Sequence, residues 1–297
     1  MKLFNPGLKT LLTIGGWNEG STTYSDMALT KESRATFIQS AVELLLKHEF
    51  DGLDMDWEYP GGRSDSEGRP EDKENFASLL VEMREEFDKS NLMITAAVSA
   101  GYLNVEQGLN IPTMARTLDY INVMTYDYHG WWEGHTFTGH HAPLYGSPQE
   151  EDVESPGYRA NINFTINFYI NAGAKRSQLL LGLPAYGRGF ELANPTDHGI
   201  YAPATNGIQA APYTQELGYW GFMEVCDAVL LQSDGWTIVR DEYIVAPYAF
   251  NGRNWIGYDD EESIRAKSQY VLDMDLAGAM LWAIDTDDFS VRIQQVG

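Results

Sequence analysis

The chain has 297 residues, 43% hydrophobic and 12% aromatic, with a formal charge of −23. That length suits one α/β barrel with a sizeable core, and no run of about 18 apolar residues predicts a transmembrane helix. The acidic balance argues against nucleic acid or an anionic membrane as partner, because both call for dense Lys and Arg, and it fits a neutral or cationic ligand.

Short apolar runs alternate with amphipathic stretches, the rhythm of parallel β/α units. Met1-Lys2 followed by the apolar residues 8–14 imitates a signal peptide, but Gly15-Gly16-Trp17 carries that segment on as a strand, predicted over 10–17. A helix over about 30–48 is expected to face Phe37, Ile38, Ala41, Leu44 and Leu45 inward, and a strand follows at 52–58. After a polar loop at 64–67, a helix starting near Pro70 places Phe76, Leu79, Leu80, Met83 and Phe87 on one face. Strands are predicted at 92–100 and 120–127, then a polar loop at 149–154, then a helix over 158–172 closed by Gly173 as its C′ residue. A strand at 179–186 precedes a stretch over 190–255 that is rich in Tyr, Trp, Pro and Gly and reads as a small α+β insertion. The last strand is predicted at 278–285. The expected fold is therefore α/β, an incomplete (β/α) barrel made of residues 1–189 and 256–297 with an insertion domain at 190–255. Six predicted strands fall short of the eight that a closed barrel needs.

The segment 51–60, Asp-Gly-Leu-Asp-Met-Asp-Trp-Glu-Tyr-Pro, carries the most information. Side chains alternate along a strand, so Asp54, Asp56 and Glu58 share one face while Leu53, Met55 and Trp57 make the other face apolar. Three carboxylates in file repel and cannot all ionise at neutral pH, so one of them holds a proton. Glu58, nearest the C-terminal end of the strand, lies where barrel enzymes keep their chemistry, and a carboxyl with a raised pKa suits protonation of a glycosidic oxygen. A solvated acidic junction and a hard-cation site are the competing readings. The apolar flanks argue against the first, and the lack of an accompanying ligand-spaced loop argues against the second.

The run Asp51-x-x-Asp54-x-Asp56-x-Glu58 resembles the signature of glycoside hydrolase family 18, the chitinases and related chitin-binding lectins. Four further segments resemble that family. Thr13-Ile-Gly-Gly-Trp17 is similar to its Ser-x-Gly-Gly-Trp strand, with Thr in place of Ser, and Met124-Thr-Tyr126-Asp127 to its Met-x-Tyr-Asp strand. Gly182-Leu-Pro-Ala-Tyr186-Gly-Arg188 and Gly278-Ala-Met280-Leu-Trp282-Ala-Ile-Asp285 are similar to its last two barrel strands.

The resemblance implies a chitinase of the retaining, substrate-assisted type, an exception to the two-carboxylate scheme. Glu58 would be general acid and then base, Asp56 would orient the acetamide, Asp54 would share a proton with Asp56, and Tyr126 and Asp127 would hold the acetamide and sugar. Asn18, Tyr59, Met124, Met280 and Glu216 fall at ligand-contacting positions. Trp17, Trp132 and Trp282 look like sugar platforms, because the C–H faces of a sugar stack on electron-rich rings. Tyr186 and Arg188 follow the penultimate strand, and Arg188 has N–H groups to offer to sugar oxygens. No metal or organic cofactor is implied.

The implied partner is chitin or a chitooligosaccharide, the implied location is extracellular although no signal peptide is expected in this chain, and a complete barrel would act as a monomer. Relatives carry two β/α units ahead of the Gly-Gly-Trp strand and a closing helix at the far end, so a truncated, catalytically silent product stands beside a lectin as an alternative. Cys226 is expected to be a buried thiol whose family partner would lie beyond the last strand. His129, His140 and His141 read as polar loop residues without metal spacing, and Asn163-Phe-Thr165 is a glycosylation sequon within a predicted helix.

Overall fold

The computed structural model describes residues 2–63, 66–133, 137–148, 159–231 and 235–288. The loop expected at 149–154, residues 64 and 65 of the loop at 64–67, position 158 of the third helix and the tail 290–297 lie outside them. All six predicted parallel-type strands form, each a little shorter than expected: β1 (Leu11–Gly15), β2 (Gly52–Asp56), β3 (Met93–Ser99), β4 (Tyr120–Met124), β5 (Leu179–Pro184) and β6 (Gly278–Trp282). They follow one another in sequence order within a single sheet, the arrangement of a (β/α) barrel wall. The two ends of that order are β1 and β6. The chain divides into two compact units, the first made of 1–124, 166–180 and 275–278, the second of 125–165, 181–274 and 279–297.

In the first unit β1 to β4 pair in parallel, and their apolar face meets two long helices. The helix Asp72–Phe87 buries Phe76, Leu79, Leu80, Met83 and Phe87, the stripe read from the sequence. Burial of such side chains contributes roughly 1.5–3 kcal/mol each. The helix Lys31–Lys47 opens on a capping box in which Thr30 Oγ1 accepts from Ser33 N–H at 3.1 Å. It buries Arg34, Ile38, Ala41 and Leu45, a narrower stripe than expected. Leu44, predicted to face inward, is 44% exposed, and Phe37 is only half-buried. Both sit on the shoulder of the 34-38-41-45 stripe, about 70–90° from its centre at 100° per residue. The third predicted helix is observed as Ile162–Asn171, and Gly173 takes the left-handed φ of 109° expected after a helix end.

In the second unit the predicted strand 179–186 breaks at Ala185, and Tyr186 begins a new strand, Tyr186–Leu192, of an antiparallel sheet. That strand pairs with Tyr219–Gly221, Ala204–Gly207 and Asn254–Gly257, and the sheet continues through Ala246–Asn251 to Thr237–Asp241. Alternation sorts its side chains: Trp255 and Tyr248 join Phe190 and Leu192 in one apolar cluster, while Ile256 and Ala249 join Ile208, Val225 and Val229 in another. The helix Glu261–Asp273, not among the predicted elements, is capped by the Asp260 carboxylate, which accepts from the N–H groups of Glu262 and Ser263. Cys226 is buried as expected, with its thiol pushed up to about 12 by burial.

Candidate active site

The acidic file lies in the first unit. Leu53, Met55 and Trp57 are 1%, 0% and 2% exposed, so the apolar face of the strand is sealed and the carboxylates occupy the opposite face. Parallel register sets Thr13 and Thr95 directly beside Asp54 on the two flanking strands. Asp54 Oδ2 accepts from Thr13 Oγ1 at 3.3 Å, and Oδ1 accepts from Asn122 Nδ2 at 3.0 Å and from the Thr95 hydroxyl. Burial raises Asp54, and these three donors pull it back toward the anion.

Asp56 has no such donors. Its Oδ1 is buried without a hydrogen-bond partner among the described residues, and its carboxyl is pushed up to about 7 by burial first and then by the charges of Glu58 and Asp54. A carboxyl raised to about 7 beside two other acids is partly protonated near neutral pH. Glu58 is 8% exposed, sheltered rather than splayed into solvent.

The crowding around Asp56 calls for glycine. Gly15 has φ 108°, and a Cβ there would lie 2.0 Å from Asp56 O, so no other residue lets β1 approach β2 and turn away over the acid file. Gly16 N–H then donates to Asp56 O at 2.8 Å, which starts the turn Trp17–Glu19. Trp17 is 51% exposed and Asn18 is exposed. Behind Glu58, Trp57 Nε1 donates to Ser21 Oγ at 2.7 Å and Ser21 Oγ donates to Tyr59 O at 2.6 Å, which fixes the chain on both sides of the acid. Tyr59 is half-buried, and the Glu58–Tyr59 and Trp282–Ala283 peptide bonds are cis.

The other predicted residues belong to the second unit, except Met124, half-buried at the end of β4. Arg188 holds Asp127 with two parallel bonds, Nε to Oδ1 at 2.8 Å and Nη2 to Oδ2 at 2.9 Å. Its guanidinium carbon lies 4.5 Å from the Trp132 ring centroid, 4.8 Å from Tyr219 and 5.2 Å from Tyr186, an aromatic cage. The predicted role of Arg188 as donor to a sugar thus meets a side chain already committed to Asp127. Only Nη1 points elsewhere, toward Glu216 at 3.4 Å, and the Glu216 side chain is 63% exposed.

Burial pushes the Asp127 carboxyl up, but the His141 ring and the Arg188 charge together hold it well below the usual carboxylate range. His141 Nδ1 stands 3.7 Å from Asp127 Oδ1, beyond hydrogen-bond length, so most of that depression belongs to Arg188. Tyr126 is buried, its hydroxyl donates to Met280 Sδ at 3.8 Å, and its ring meets Tyr186 edge-on at 6.0 Å. The Trp132 ring lies against the Cα of Gly130, where a Cβ would come within 2.0 Å of it. Trp132 and Trp282 are 43% and 52% exposed.

Sequence reasoning missed several groups. The two histidines read as loop residues are interior: His140 and His141 are 2% and 0% exposed, stacked at 5.5 Å. His140 Nδ1 accepts from Ala142 N–H at 3.0 Å and its Nε2 faces the Tyr258 carbonyl at 3.0 Å, and burial holds it neutral with a pKa of about 3. Thr95 and Asn122 went unremarked, although a polar residue interrupting an apolar strand run is a legible signal. Tyr219 carries no local signal, because its place beside Arg188 comes from sheet pairing.

Fold and acid file together define the class, a barrel of the glycoside hydrolase type. Comparison with known proteins supplies the family: the model of glycosyl hydrolases family 18 matches residues 1–287, and the chain belongs to that family. It is 38% identical over 297 residues to chitotriosidase-1 of Mus musculus, with 97% of this chain aligned, and it spans 61% of that relative's length. Among solved structures it is similar to the Group IV chitinase of Ostrinia furnacalis in complex with allosamidin, with TM-score 0.93, 43% identity, and 98% of this chain and 76% of that one covered. It is also similar to human YKL-39, a pseudo-chitinase with retained chitooligosaccharide binding, with TM-score 0.89, 34% identity, and 100% and 79% of the two chains covered.

Proposed function

We propose that this chain hydrolyses the β-1,4 linkages of N-acetylglucosamine polymers outside the cell, with retention of configuration and with the substrate's own acetamide as nucleophile. The observation that carries the reading is the buried file in which three donors hold Asp54 toward the anion while Asp56, its Oδ1 without a donor among the described residues, is pushed up to about 7. In the first step the acetamide oxygen bonds to the anomeric carbon as the glycosidic C–O bond breaks, and the Glu58 proton passes to the leaving oxygen. The positive charge left on the oxazolinium ring is offset by Asp56, whose proton is shared with Asp54. In the second step water attacks the same carbon, Glu58 takes its proton, and the ring opens to restore the acetamide.

We assign Tyr126 and Asp127 to holding the sugar and its acetamide. Trp17, Trp132 and Trp282 act as platforms, and Asn18, Tyr59, Met124, Met280, Tyr186, Arg188 and Glu216 line the binding surface. The antiparallel sheet spanning 186–257 supports reading 190–255 as an insertion in a barrel formed by 1–189 and 256–297.

The test is hydrolysis of a fluorogenic chitobioside by the chain and by Glu58→Gln, with chitin pull-down in parallel. Turnover that falls at least about a thousand-fold in Glu58→Gln while chitin binding persists supports the reading. Chitin binding without turnover in the unsubstituted chain overturns it in favour of a binding protein of the same fold.

A further inference from the structure

Arg63 has no part in the scheme above, yet it joins two of its members within the first unit. Its guanidinium carbon lies 3.5 Å from the centroid of the Trp17 ring, a stacked cation–π contact. From that position Nη2 donates to Trp17 O at 2.7 Å and Nη1 reaches Glu58 O at 3.4 Å. The side chain starts from the short strand Gly62–Arg63, which pairs with Ser66–Glu67. That second strand is tied to the Trp17 turn, since Thr22 Oγ1 donates to Glu67 O at 3.2 Å and Ser21 N–H donates to Ser66 Oγ. Trp17 itself remains 51% exposed. A guanidinium stacked on one face of an indole leaves the other face for a sugar, and unlike a lysine it carries its charge at every working pH.

Resting on the hydrolase reading, we infer that Arg63 is a positioning and specificity-determining residue, which orients the Trp17 platform and makes it select neutral N-acetylglucosamine over cationic glucosamine units. The physical basis is charge. Deacetylation exposes an amine that is protonated in mildly acidic solution, and a sugar on the open face of Trp17 would bring that ammonium to about 8 Å from the guanidinium. Across a half-exposed site such a separation discriminates by about five-fold. The sign opposes the chain as a whole, whose charge of −23 attracts a cationic polymer. Charge discrimination at this platform is therefore assigned to Arg63, apart from the acetamide contacts given above to Tyr126 and Asp127.

The experiment uses Glu58→Gln as the background, so that binding is read without turnover. Calorimetry at pH 5.5 compares chitotetraose with the same oligomer partly deacetylated, with Arg63 intact, as Arg63→Gln and as Arg63→Lys. Arg63 contributes about five-fold to the preference for the acetylated oligomer, so Arg63→Gln lowers the ratio by about that factor and Arg63→Lys keeps most of it. In the catalytically intact chain, Arg63→Gln alters KM for the deacetylated substrate more than kcat. A ratio that stays the same in Arg63→Gln while chitotetraose still binds overturns the role of Arg63 alone. Failure of chitotetraose to bind in any form sinks the sugar-site reading beneath it as well.

Discussion

The two units handle buried carboxylates in opposite ways. In the first, Asp54, Asp56 and Glu58 stand in file, and among the described residues the side-chain partners of Asp54 are neutral donors. In the second, Asp127 is clamped by Arg188, and Asp259 by the buried ammonium of Lys267, whose Nζ also donates to Ala142 O at 2.7 Å. Burial raises Asp54, Asp56, Asp127 and Asp259 alike, yet Asp56 ends near 7 while Asp127 and Asp259 end below their usual range. What decides is the neighbouring charge rather than the depth. A carboxylate among carboxylates keeps a proton it can share, and one beside a cation becomes a fixed negative charge. The first kind can pass a proton, and the second supplies a fixed charge.

The sharpest way to break this contrast is to remove a cation. Lys267→Met leaves Asp259 at 1% side-chain exposure without a counterion, which should cost about 4 kcal/mol of unfolding free energy in urea titrations. A loss under about 1 kcal/mol would mean that the pair is not what keeps Asp259 ionised.

Next in size is the pH profile of stability. Asp56 has a folded pKa raised above its unfolded value, so the stability it lends is complete below pH 4 and drains away as pH rises through about 7. Asp127, with a depressed folded pKa, works the other way: its contribution is present above pH 4 and is lost as pH falls below it. Asp56→Asn should therefore flatten the alkaline side, gaining roughly 3–4 kcal/mol at pH 8 relative to pH 4, and leave the acid limb untouched. Thermal melts across pH 3–9 read both limbs, and an unchanged alkaline slope in Asp56→Asn counts against the shared proton.

The smallest effect concerns the neutral donors. Thr95→Val removes one hydrogen bond to Asp54 and should cost about 1 kcal/mol, more at pH 8 than at pH 4 because the lost donor favours the anion. Equal losses at the two pH values would show that Asp54 does not ionise in that range.

Local pattern made much of this legible. The file at 54, 56 and 58 follows from strand alternation, and its burial from Leu53, Met55 and Trp57 between the acids, because both depend on nearest neighbours along the chain. The inward stripe of the helix Asp72–Phe87 follows from its period for the same reason. Groups that meet across many residues were not legible. Asp127 and Arg188 are 61 positions apart, and only packing made the arginine a clamp rather than a free donor. His140 and His141 looked like loop residues because polarity is read locally while enclosure is not.

Leu44 shows the converse error, an apolar residue at helical spacing that stays exposed. Lys267, a lysine in a helix that reads as a solvated position, is fully enclosed by contacts with Asp259 and Ala142. The sequence alone determined which residues alternate, which turn, and that three acids share one face of a strand, since these rest on backbone geometry within a few residues. Tertiary structure decided which acid is given a cation and which is left to share a proton, because charge acts through space and takes no account of distance along the chain.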